Sequence, residues 1–255
     1  MAISDLRKGP NRALVVFITL FSVICLGLAG WYVLDRHSSS GISEDDFVSN
    51  CTNKPTIPLP VDVAIVESVL YPGQLRNGDY KTHGGFRLST PTNDLSVILP
   101  LRSKLIDGAR YIENGETQYL LDFETDCKIR FRFDHIYSPS VVLMDEINKL
   151  PEPIEGDSRT TALGGKEFDA AQVIATAVGF VKTGNVFLDF GMYDFNKDNA
   201  ISGDISWSKD PMHQSDLAKH GVCWFEYLSS EDRSKIISLP PGDQLSGSTS
   251  DYCKN

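Results

Sequence analysis

Five histidines, His37, His83, His135, His213 and His220, carry most of the chemistry this chain can offer, since an imidazole can ligate a metal or move a proton near neutral pH. His37 borders an apolar segment, and His213 and His220 lack the four-residue spacing that would set two ligands on one helix face. Packing or surface roles are therefore expected for these three. His83 and His135 sit in more telling surroundings. His83 opens the run His83-Gly84-Gly85-Phe86-Arg87. In residues 128–135 (KIRFRFDH) strict alternation puts Ile129, Phe131, Phe133 and His135 on one strand face and Lys128, Arg130, Arg132 and Asp134 on the other. The same count over residues 186–194 (VFLDFGMYD) sets Leu188, Phe190 and Met192 against Phe187, Asp189, Gly191 and Tyr193. Asp189 is thus a carboxylate within a mostly apolar strand.

Two other stretches look like motifs and are discounted. Asp194, Asn196 and Asp198 imitate the start of a calcium loop, but Asn199 takes the glycine position and Ile205 the place of the bidentate glutamate. Gly156-Asp157-Ser158 offers a serine with no nearby histidine to activate it.

The elements that position these residues fall in a clear order. Residues 13–34 contain no charge, and at ~1.5 Å rise each they are long enough to cross a hydrocarbon core of about 30 Å. Arg7, Lys8 and Arg12 precede this span, so residues 1–12 are expected in the cytoplasm and the rest outside the plasma membrane, in single-pass topology. A cleaved signal peptide, cut after Ala29, is the alternative. Residues 35–60, rich in Ser and then Pro, read as an extracellular stalk. Residues 61–240 read as the folded domain and residues 241–255 as a tail. From 61 to about 195 the signals are those of strands, with Asp107-Gly108 and Asn114-Gly115 as two-residue hairpin turns. Residues 216–228 and 230–239 turn helical, the latter with Ser230 as its cap. The fold expected is mainly β, an antiparallel sheet or sandwich with a short C-terminal helical segment. The net charge of -10 argues against a nucleic-acid partner, because phosphate binding needs clustered Lys and Arg.

Cys25 falls inside the apolar span, leaving Cys51, Cys127, Cys223 and Cys253 as an even set in an oxidising compartment. Three connectivities are open; Cys51 with Cys253 and Cys127 with Cys223 is preferred, tying the ends of the domain. No CxxC pair supports a structural zinc site. Asn50-Cys51-Thr52 is a glycosylation sequon.

The His83–Arg87 loop and strand, the later Phe133-Asp134-His135-Ile136 and Asn185–Asp194 (NVFLDFGMYD) together resemble, in order and spacing over roughly residues 62–195, the lysostaphin-type zinc metallopeptidases that cut peptidoglycan. The resemblance implies a sheet of the duplicated-hybrid-motif kind. It also implies a site at His83, Arg87, His135, Phe187 and Asp189. In the family a His-x-x-x-Asp motif supplies two zinc ligands, and here Arg87 stands at the aspartate. The family's His-x-His supplies a catalytic histidine and the third ligand, and here Phe187 and Asp189 stand there. His135 matches the second catalytic histidine. A guanidinium never deprotonates in proteins and opposes a divalent cation, so no cofactor is expected, with zinc on His83 and Asp189 as the alternative. An Arg87–Asp189 salt bridge is expected to fill the former metal site. With its ligands replaced in this way, the resemblance implies a non-catalytic domain that binds a cell-wall glycan, a peptide or an envelope protein through His83, Arg87, His135 and Asp189, or regulates a partner hydrolase. The alternative is a divergent metal-dependent envelope hydrolase.

Overall fold

The computed structural model describes residues 54–254. The expected membrane span, Cys25, His37, Asn50, Cys51 and the stalk up to residue 53 lie outside the described residues. Among the described residues no helix is long and apolar enough to cross a membrane.

Twelve strands build the domain: β1 (Val66–Leu70), β2 (Gln74–Arg76), β3 (Asp79–Lys81), β4 (Gly84–Leu88), β5 (Asp94–Ile98), β6 (Ser103–Glu113), β7 (Glu116–Glu124), β8 (Ile129–Pro139), β9 (Ile154–Glu155), β10 (Thr161–Phe168), β11 (Val173–Val178) and β12 (Phe187–Asp194). The main sheet runs β1-β4-β12-β8-β7-β6-β10, and β11 bridges β8 and β5. The architecture is mainly β, as expected, although the sheet is mixed because the short β9 lies parallel to β6. β2 and β3 form a separate hairpin.

The strands form where apolar residues alternate. Leu105, Leu121, Phe123, Phe131, Phe133, Leu188 and Phe190 are fully buried, each worth about 1.5–3 kcal/mol relative to exposure. Phe190 sits centrally, with ring centroids 5.3 Å from Phe133, 6.2 Å from Phe131 and 5.3 Å from Trp224. Of the two expected hairpin turns, Asn114-Gly115 joins β6 to β7, with φ of 52° and 70° and Glu113 paired to Glu116. These are the angles a two-residue turn of the primed type requires. Asp107-Gly108 is not a turn: β6 continues through it. The register slips between Leu105 and Asp107, and Gly108 lies between β7 and β10, where a Cβ would come within 3.3 Å of the Leu120 carbonyl. The glycine there marks a bulge and a close backbone approach, which sequence alone confuses with a turn.

Four short helices complete the unit: α1 (Met144–Ile147), α2 (Ile205–Lys209), α3 (Asp216–His220) and α4 (Ser230–Ser238). The helix expected over 216–228 stops at His220. Gly221 turns extended and pairs with Tyr193, its Cα pressed against the Tyr252 ring so closely that a Cβ would lie 2.4 Å from Cε2. α4 is capped by Ser229, which accepts from the Asp232 amide at 3.0 Å, not by Ser230.

The compact unit begins at Lys54, ahead of the expected boundary at 61, because Ile57 is buried and donates its amide to the Tyr227 carbonyl at 2.8 Å. Residues 241–254 likewise belong to it: the Asp251 amide donates to the Gly73 carbonyl at 2.7 Å, and Ser250 is fully buried. The disulfide pairing differs from the preferred one. Cys223 bonds Cys253, 30 residues apart, and Cys127 is disulfide-bonded as well. Neither Cys51–Cys253 nor Cys127–Cys223 can therefore form. The reason is local: Tyr252, wedged between Gly73 and Gly221, carries Cys253 to the segment just after α3.

Candidate functional site

Because Leu188, Phe190 and Met192 point into the core, Phe187, Asp189, Gly191 and Tyr193 line the opposite face of β12. On β4 the buried pair Phe86 and Leu88 leaves Gly85 and Arg87 on that same face. The antiparallel register sets Arg87 opposite Phe187 and Gly85 opposite Asp189. Gly85 is required here, since a Cβ would stand 2.5 Å from the Leu188 carbonyl and 2.9 Å from Asp189 Oδ1. Its absence lets the carboxylate lie over the neighbouring strand.

His135 reaches this face by leaving its expected place. Strict alternation assigns it to the core side with Phe131 and Phe133, but the register slips around it and its φ is 61°. Ile136 takes the next core position and is fully buried. A left-handed conformation at a non-glycine residue is strained and is held here by three bonds. The Gly179 amide donates to the His135 carbonyl at 2.8 Å, the His135 amide donates to Asp134 Oδ1 at 2.8 Å, and Tyr111 donates its hydroxyl to the same oxygen at 2.7 Å. Burial, then the charge and hydrogen bond of Asp134, push the Tyr111 phenol far above its usual range, and the same hydroxyl lies 3.5 Å from His135 Nδ1.

Asp189, with 13% of its side chain exposed, is the centre of the cluster. His83 Nε2 lies 3.1 Å from Oδ2, His135 Nε2 3.9 Å from the same oxygen, and Arg87 Nη1 4.0 Å from Oδ1. Burial alone would raise this carboxyl, but the His83 hydrogen bond, with the charges of His83, His135 and Arg76, outweighs it and holds the group far below the ordinary carboxylate range. Arg76 is only 5% exposed and donates from Nη2 to the His83 carbonyl at 2.8 Å. Burial lowers its basicity, opposed by Asp189 and Asp243. His135 also packs on an aromatic wall, 4.5 Å from the Phe187 ring and 5.6 Å from that of Phe180.

The structure thus brings His83, Arg87, His135, Phe187 and Asp189 together. It revises one detail of the expected ion pair. Arg87 and Asp189 approach to 4.0 Å without a hydrogen bond; Asp189 bonds His83 instead, while Arg87 Nη2 turns to Asp243 at 3.4 and 3.5 Å and its guanidinium rests 4.8 Å from the Phe187 ring centre. Three buried polar atoms here lack any hydrogen-bond partner: Arg76 Nη1, Arg87 Nη1 and Asp189 Oδ1.

A zinc ion does not fit these residues. His83 Nε2 and Asp189 Oδ2 converge to 3.1 Å, but the Arg87 guanidinium lies 4.0 Å from the same carboxylate and Arg76 adds a second permanent cation. Among the described residues no group of three or more His, Cys, Asp and Glu side chains is arranged to hold a metal.

The remaining candidates lie elsewhere. His213 stacks on Trp207 at 4.3 Å and His220 packs on Phe195 at 4.7 Å. In the calcium-like loop, Asp194 accepts from Asn196 and faces Lys197 Nζ at 3.3 Å, so its oxygens are already occupied. Asp157 pairs with Arg159. Sequence reasoning missed Arg76 and Phe180, which lie close in sequence to His83 and Phe187 but in separate elements, and Tyr111 and Asp243, which come from further away; Asp243 is 156 residues from Arg87.

No protein-family model and no curated protein matches the chain. Among solved structures the chain is similar to one described as a glycyl-glycine endopeptidase, lytM, from Ruminococcus gnavus, at 14% identity and a TM-score of 0.28, over 65% of this chain. It spans 64% of that protein's chain, a little under two thirds of its length. The similarity carries nothing about activity.

Proposed function

We propose that this domain is a metal-free binding module of the cell envelope, displayed outside the plasma membrane by the apolar span at 13–34, and that it holds a glycan or peptide in the groove around Asp189 without cutting it. The observation that carries this reading is the charge arrangement: one carboxylate, already bonded to His83 at 3.1 Å, with a guanidinium 4.0 Å away on its other oxygen. Metal-assisted hydrolysis needs about three protein donors and an open position for the attacking water. Here two donors are spent on each other, and the cationic charge that an ion would bring is supplied by Arg87 and Arg76. The groups left over suit recognition. The Arg87 guanidinium, 29% exposed and held loosely by Asp243 at 3.4 Å, can hydrogen-bond a polar ligand.

The test is metal content. Full-length protein in detergent, loaded with excess zinc and dialysed exhaustively, is expected to retain well under one equivalent and to leave a glycine-rich peptide intact. Stoichiometric zinc, lost together with peptide cleavage in His83→Ala, would overturn the reading in favour of a hydrolase.

A further inference from the structure

We propose that the Arg87–Arg76 corner of the groove binds a carboxylate group of the ligand, and that Asp243 occupies that place in the structure described. The proposal rests on the binding reading above and names the chemistry the ligand must carry.

Four observations lead to it. First, Arg76 is 5% exposed and yet leaves Nη1 without a partner. A buried guanidinium N–H with no acceptor is costly unless an anion or a water completes it. Second, Arg87 Nη1 is likewise unpartnered, because the nearest carboxylate oxygen, Asp189 Oδ1, stops 4.0 Å short. Third, Asp189 cannot swing over to satisfy both cations, since His83 holds its Oδ2 at 3.1 Å and Gly85 fixes the strand contact beneath it. The corner therefore has more donors than the fold supplies acceptors for. Fourth, the acceptor that does reach it comes from outside the sheet and sits loosely. Asp243 meets Arg87 Nη2 at 3.4 and 3.5 Å, well beyond the 2.7–2.9 Å of a good charge-assisted bond, and its side chain is 40% exposed.

Asp243 lies in a strap, Gly242–Gln244, in which it and Gln244 both have left-handed backbones, φ 52° and 60°. Pro240 and Pro241, pairing with Val69, hold the strap on the edge strand β1. Gln74 holds its far end through the Ser246 carbonyl at 2.8 Å. The carboxylate is thus presented to Arg87 by a segment anchored on both sides. Turning this one side chain outward leaves the anchors intact and opens Arg87, which is 29% exposed, to solvent. A ligand carboxylate entering there would take the place of Asp243 on the Arg87 guanidinium, with the buried cation Arg76 adding to the attraction. The pattern of two cations suits the carboxyl end of a peptide better than a neutral sugar.

The other charged groups around the corner do not supply this function. His135 faces Asp189 at 3.9 Å and Glu113 at 3.8 Å, and Asp134 is spent on Tyr111 and the His135 amide.

The experiment uses full-length protein in detergent with two probes, N-acetylglycylglycine and its C-terminal amide, titrated by calorimetry at pH 7. The acid is expected to bind at least on the order of tenfold tighter than the amide, the worth of one charge-assisted bond. Asp243→Asn, which removes the competing charge, is expected to tighten the acid severalfold and leave the amide unchanged, and Arg87→Gln to abolish the preference. Because Arg87→Gln can disturb folding, the acid-against-amide comparison in the unmodified protein is decisive on its own. Equal binding of acid and amide, or no binding of either to the unmodified and Asp243→Asn proteins, overturns the proposal. Zinc retention would instead defeat the metal-free reading, so the two failures are distinguishable.

Discussion

Replacing Asp189 by Asn removes the one charge around which the site is organised, and the consequence can be worked from the geometry. The substitution keeps the side-chain shape but weakens the His83 bond at 3.1 Å from a charged to a neutral one, a loss of about 1 kcal/mol. It also leaves Arg76, 5% exposed, with Asp243 alone of its two counter-charges. Breaking a buried pair costs about 3–5 kcal/mol, but Arg87 is 29% exposed and 4.0 Å away, so solvent screens part of that cost. The total is roughly 2–4 kcal/mol, or a Tm lower by about 5–12 °C for a domain of this size. The pH dependence gives a sharper check. The folded-state pKa of Asp189 is depressed below its unfolded value, so its contribution is fully present above the unfolded pKa of about 4 and is lost as pH falls through the folded value. The gap in Tm between the native protein and Asp189→Asn, followed by far-UV circular dichroism, should therefore close progressively below pH 4. A gap under about 1 °C at pH 7, or one that widens as pH falls below 4, would refute the assignment of Asp189 as the stabilising charge of the site.

Gly85→Ala places a Cβ 2.5 Å from the Leu188 carbonyl and 2.9 Å from Asp189 Oδ1; overpacking of this kind costs about 1–3 kcal/mol, and a Tm equal to that of the native protein would show that β4 and β12 are not so closely apposed. Peptide mapping without reduction should recover Cys223 linked to Cys253, and a Cys127–Cys223 peptide would contradict the fold of the C-terminal segment. The double variant Cys223→Ser, Cys253→Ser opens a 30-residue loop, with an expected loss of about 3–4 kcal/mol in the chain-entropy account, measured by denaturant unfolding.

The legible part of this fold is the part governed by local rules. Alternation in β8 and β12 assigned Phe131, Phe133, Leu188 and Phe190 to the core, and all four are fully buried; Asn114-Gly115 makes its turn because both residues tolerate positive φ. Period-2 counting fails where the backbone inserts a residue. Asp107-Gly108 reads as a turn and is a bulge, and His135 reads as a core residue and is carried to within 3.9 Å of Asp189 by the register slip at its own position. The two errors share a cause, since bulges change side-chain direction without a distinct composition. The site was half legible: His83, Arg87, His135, Phe187 and Asp189 come from one resemblance, whereas Arg76, Tyr111 and Asp243 enter by tertiary contact. The disulfides were not legible at all, because three pairings satisfy the same cysteine count and only the path of residues 241–253 selects among them.

Whether Arg87 itself excludes a metal can be asked directly. If it does, exchanging its charge should let His83 and Asp189 share an ion with the new side chain. His83 Nε2 and Asp189 Oδ2 lie 3.1 Å apart, as two donors around one ion at about 2.0–2.2 Å each would. Arg87 projects from the same face of β4 as Gly85, beside Asp189 on β12. Arg87→Asp therefore removes a permanent cation, adds a third donor on the side of the unpartnered Asp189 Oδ1, and frees Asp243 from its present contact. The variant is expected to retain close to one equivalent of zinc after dialysis under conditions where the native protein retains little, and to gain thermal stability on zinc addition as any ligand that binds only the folded state must confer. Arg87→Gln is the control, since it removes the cation without supplying a donor. Zinc uptake by Arg87→Asp alone would locate the exclusion in the missing donor; uptake by both variants would locate it in the guanidinium charge. A folded Arg87→Asp protein that binds no zinc would show that Arg87 is not what excludes a metal, and that Arg76, which bonds the His83 carbonyl, is the cation to replace next.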